Sequence, residues 1–78
     1  MIDRALSIRI RTLAEEYVAD VRRLKAAGDH HAEYHAQRPK VKAYGALMHA
    51  GMTPRQAVDY FKQIEADVFQ HPDPERSQ

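Results

Sequence analysis

The sequence predicts an all-α protein in which one long amphipathic helix is followed by a helical hairpin, a three-helix arrangement completed by dimerisation. Three observations carry that prediction. Apolar residues recur at helical spacing from Leu6 to Leu24, a Gly51-Met52-Thr53-Pro54 break divides the later chain into two helical stretches, and no segment shows the alternation of a half-buried strand. A chain of 78 residues buries only about 60 to 65% of its unfolded surface, enough for one core, so residues 1–71 read as a single helical domain. Cysteine is absent, which leaves a metal, a partner chain or close helix packing as the available reinforcement.

The first helix is placed at about residues 3–27. Leu6, Ile10, Leu13, Tyr17, Val21 and Leu24 follow one another at spacings of 4, 3, 4, 4 and 3 and form its core stripe. Arg22, Arg23 and Lys25 ahead of Gly28 mark its end, because cations favour the carbonyl terminus and glycine suits a left-handed closing residue. Residues 28–38 form a polar connector, in which Asp29 can cap a short turn through His35. Pro39 opens the second helix, at about 39–50, since proline lacks the amide hydrogen that a helix interior requires. Val41, Tyr44, Leu47 and Met48 are assigned to its apolar side.

Gly51 then ends that helix, and Thr53-Pro54-Arg55-Gln56 starts another with a capping hydroxyl, proline at the first helical position and glutamine three after the cap. The third helix runs at about 54–70, with Ala57, Phe61, Ile64 and Val68 inward. Residues 72–78 read as a disordered tail.

Charge excludes little. A formal net charge of +1 lacks the strong excess of a dedicated nucleic-acid binder, although residues 1–28 carry six basic against four acidic side chains. No apolar run approaches the roughly 18 to 20 residues that span a bilayer, and Asp3 and Arg4 stand where a signal peptide needs apolar residues, so a cytoplasmic protein away from membranes is expected.

Three groups of residues could carry function. His31 and His35, four apart on a helical turn, have the spacing of a metal pair, but a structural zinc site needs four ligands and none of the others is cysteine; no cofactor is expected. On the first helix Arg4, Arg11, Arg22 and Lys25 fall in line beside Ile8 and Val18, a mixed cationic and aliphatic stripe suited to contact with another protein. The core stripe of the same helix spans about 37 Å against about 18 and 26 Å for the two later helices, so part of it is expected to pair with a second copy through Leu6, Ile10, Leu13, Tyr17, Val21 and Leu24.

Finally, Leu47-Met48-His49-Ala50-Gly51-Met52-Thr53-Pro54-Arg55-Gln56-Ala57 resembles the first helix and turn of bacterial helix-turn-helix regulators. The resemblance implies a DNA-binding helix after the turn. Here Phe61 to Asp67 runs on without a further turn, and Asp59, Glu65 and Asp67 on an exposed face would oppose phosphate. With no nucleophile-base pair and no glycine-rich phosphate loop, the expected protein is not an enzyme. The leading expectation is an adaptor or inhibitor of a partner protein, of the kind that phages and mobile elements carry as regulators. The alternative is a dimeric helix-turn-helix-like transcriptional regulator.

Overall fold

A computed structural model describes residues 2–70, and every regular element among them is helical. The order is α1 (Arg4–Ala26), α2 (Ala32–His35), α3 (Arg38–His49) and α4 (Pro54–Gln70). The predicted three helices become four because the connector winds a single turn. Asp29 accepts the His31 backbone N–H at 2.8 Å and starts that turn. The predicted tail at 72–78 lies outside the described residues.

Local chemistry sets each boundary. Asp3 Oδ1 accepts the Leu6 N–H at 2.8 Å and caps α1. At the other end Gly28 takes φ +87°, its N–H reaching the Lys25 carbonyl while Asp29 N–H reaches that of Leu24. Helix α3 closes the same way, with Gly51 at φ +108°, Gly51 N–H on Met48 O and Met52 N–H on Leu47 O. These paired bonds satisfy carbonyls that the helix end leaves open, and glycine enters the left-handed region without a Cβ penalty. One residue later the chain starts α4 with reciprocal bonds, Thr53 Oγ1 accepting from Gln56 N at 3.1 Å and Gln56 Oε1 from Thr53 N at 3.0 Å.

Helix α1 packs against the other three, and α3 packs against α4. The core gathers Ile10, Leu13, Ala14, Tyr17, Val18 and Val21 of α1 around Ala43 and Leu47 of α3 and Ala57, Phe61 and Val68 of α4. Phe61 is its centre, fully buried, with Tyr17 and Tyr44 edge-on at centroid distances of 6.0 and 5.6 Å. Ala32 and Ala36 close the α2 end.

Two expected faces are corrected by this packing. Val18, assigned to the outer stripe of the first helix, is 2% exposed. Contact with both α3 and α4 widens the buried arc of α1 beyond a single stripe, so Ala14 and Val18 turn inward beside the expected positions. In α3 the inward line is Pro39, Ala43 and Leu47 at spacing 4, which leaves Val41 and Met48 at 56% and 40% exposure. No second copy is needed to cover the length of α1. Together α2, α3 and α4 cover the stripe. Ile10, Leu13, Tyr17 and Val21 are buried within the chain, with Leu6 and Leu24 packed against the same core.

No helix among the described residues is long and apolar enough to cross a membrane.

Candidate functional site

The cationic and aliphatic stripe of α1 is largely committed inside the protein. Arg11 Nη1 lies 2.7 Å from Asp67 Oδ2 of α4 and its Nε 3.8 Å from Glu15. Arg22 stacks over the Phe69 ring at 5.0 Å, and Lys25 Nζ stands 3.9 Å from Glu33. With Val18 in the core, Arg4 and Ile8 are the two of the six that stay exposed without such a contact among the described residues. Arg11 and Arg22 thus join α1 to α4, and Lys25 joins it to α2.

His31 and His35 do come together, their rings edge to face at 6.3 Å, and His35 Nδ1 is 2.6 Å from Asp29 Oδ2. That hydrogen bond, reinforced by the His31 backbone N–H, holds the Asp29 carboxyl below its ordinary value. Among the described residues no group of three histidine or carboxylate side chains converges as a metal site would require. Asp29 thus ties His31 and His35 together within the connector.

The helical hairpin presents a different surface. Gly51 and the Thr53–Gln56 cap confine the α3–α4 connection to Ala50–Thr53, and burial of Ala57, Phe61 and Val68 fixes the rotation of α4. Arg55, Asp59, Lys62, Gln63 and Ala66 then share its exposed side, with Gln56 at the edge, engaged in the cap. The other two carboxylates expected on this side are elsewhere. Asp67 turns to Arg11, and Glu65 is half-buried near Tyr17 and Tyr44, where its charge and the burial of both rings raise the two phenols above their ordinary values.

No protein-family model, curated protein or solved structure matches the chain.

Helix α3 adds to the same charge pattern. It carries Arg38, Lys40 and Lys42 and no carboxylate. From Arg38 to Gln63 the chain has five cations against Asp59, with Glu65 and Asp67 following in α4, while α1 mixes six cations with Glu15, Glu16 and Asp20. Lys40 is turned toward the core, its Nζ 5.2 Å from the Tyr17 ring centroid. Arg38, Lys42, Arg55 and Lys62 are exposed, and among the described residues they form no ion pair. A near-neutral chain thus carries a local run of cations on α3 and the first turns of α4.

These hairpin residues were not among the sequence candidates. Part of the signal was present in the helical wheel of α4 itself: at about 100° per residue, Glu65 lies about 40° from Phe61 and Asp59 about 160°. Asp67 at about 120° is no nearer the core than Arg55, and it is the pairing with Arg11 of α1 that draws it aside.

Proposed function

We propose that the protein is a small non-enzymatic nucleic-acid-binding regulator that docks the exposed side of α4 against duplex DNA. The observation that supports this reading most directly is the withdrawal of Glu65 and Asp67 from that side, which leaves Arg55, Lys62 and Gln63 against a single carboxylate. Helical side chains of these types suit the major groove, where arginine pairs with guanine O6 and N7 and glutamine with adenine N6 and N7. Lys62 on the same side supplies a cation for phosphate, a contact that positions a reader without specifying sequence. Few cations are involved, so affinity for random duplex belongs near the weak end of about 10⁻⁴ to 10⁻⁶ M at physiological salt.

A mobility-shift assay on random duplex at low salt tests the reading. Retardation by the native protein, lost on replacing Arg55 and Lys62 by alanine with helicity unchanged, is the expected result. No retardation, or equal retardation by the double variant, contradicts it.

A second reading, as an adaptor or inhibitor of a partner protein, is favoured by Ile8, Val41 and Met48, whose aliphatic side chains are exposed to water. It no longer rests on the stripe of α1.

A further inference from the structure

Where the first turns of α1 pass α3, a surface groove opens that neither the core nor the α4 surface uses. Leu6, Gly45 and Ala46 give it a low apolar floor, and Arg9, Lys42 and His49 stand around it. Asp3 also borders the groove, but its carboxylate accepts the Leu6 N–H as the cap of α1. Among the described residues Arg9, Lys42 and His49 make no ion pair or side-chain hydrogen bond.

Gly45 is the unexplained residue of this region. It sits in the interior of α3, where glycine costs about 0.5 to 1 kcal/mol relative to alanine. Its backbone is not left-handed, since Gly28 and Gly51 are the glycines with positive φ. Nothing lies within 4 Å of a Cβ built on it. Neither conformation nor internal packing requires glycine at this position. The absence of a Cβ there leaves room for another chain to approach α3 closely.

We infer that this groove docks an acidic, amphipathic helical segment of a partner protein, its small side chains over Gly45 and its carboxylates toward Arg9, Lys42 and His49. Charge complementarity selects an anionic occupant, and the floor selects a peptide, because Leu6, Gly45 and Ala46 offer apolar contact that a phosphodiester backbone cannot use. The inference places the second functional reading on a surface and is independent of the duplex-binding one.

Fluorescence anisotropy with a labelled helical peptide of about four turns tests it. The probe carries glutamates along one edge and alanine and leucine on the adjacent face; its control has lysine for every glutamate. The native protein should bind the acidic peptide and not the control. Gly45→Leu fills the groove without changing charge and should weaken binding about tenfold or more, while Arg9→Glu with Lys42→Glu should transfer the preference to the lysine peptide. Leucine also favours the helix, so a melting temperature at or above native keeps a folded variant in the comparison. Absence of acidic-peptide binding, equal binding of both peptides, or full binding by Gly45→Leu overturns the inference. Duplex binding by Gly45→Leu should equal native, which separates failure of the groove from failure of α4.

Discussion

Tyr17 shows how one residue couples packing to charge. Its ring meets Phe61 edge-on and its side chain is almost wholly buried, so ionisation would place a phenolate in a site that resists charge. Burial first, then the nearby carboxylates Glu65 and Glu33, push its pKa from 10.0 up to about 12. A pKa raised in the folded state means that the neutral form is preferred there. The associated stability is complete below the unfolded value of 10.0 and is lost as pH rises through about 12. Tyr17→Phe should therefore flatten the fall in stability across that alkaline window, as measured by the urea midpoint at neutral and at alkaline pH; an undiminished fall would exclude Tyr17 as its source. That Tyr17 faces inward was legible from its place in the Leu6 to Leu24 stripe. That Val18 does too was not, because the buried arc of α1 widens only through its contact with both α3 and α4.

Among the elements, the turn between α3 and α4 was the most legible, because its signals are local. Gly51, Thr53, Pro54 and Gln56 each act on the neighbouring backbone, and the hydrogen bonds they specify are those present. Thr53→Ala removes one half of the reciprocal cap and should cost about 0.5 to 2 kcal/mol. Gly51→Ala forces a Cβ into the left-handed region and should cost about 1 to 2 kcal/mol. Urea denaturation checks both, and unchanged midpoints would mean that the turn is held by something other than its caps. The outward faces of α3 and α4 were harder to read, since which apolar residues point inward depends on the partner helix. Val41 and Met48 have apolar side chains at helical spacing, yet Pro39, Ala43 and Leu47 make the buried line. The short α2 was visible in outline through Asp29, whereas its contribution of Ala32 and Ala36 to the core depends on contact with α1.

For the whole molecule, the long stripe of α1 had suggested a second copy. Its residues are instead satisfied by α2, α3 and α4 of the same chain, so pairing through Leu6, Ile10, Leu13, Tyr17, Val21 and Leu24 would require the core to open. Light scattering at micromolar concentration should give a single species of 9.0 kDa. A stable species of twice that mass would restore the dimer and demand a different interface. Charge also has to be read at this scale, because a formal +1 conceals that α3 has three cations and no carboxylate and that Asp67 of α4 is paired with Arg11 of α1. The most direct test of the account is the salt dependence of binding to a labelled DNA duplex. Native protein should bind with an affinity that falls with salt, and replacing Arg55 and Lys62 by alanine should weaken binding and reduce the log–log slope by about 1, the share of the phosphate contact of Lys62. Binding that ignores salt, or a slope unchanged in the double variant, would contradict the assignment of α4 as the nucleic-acid surface.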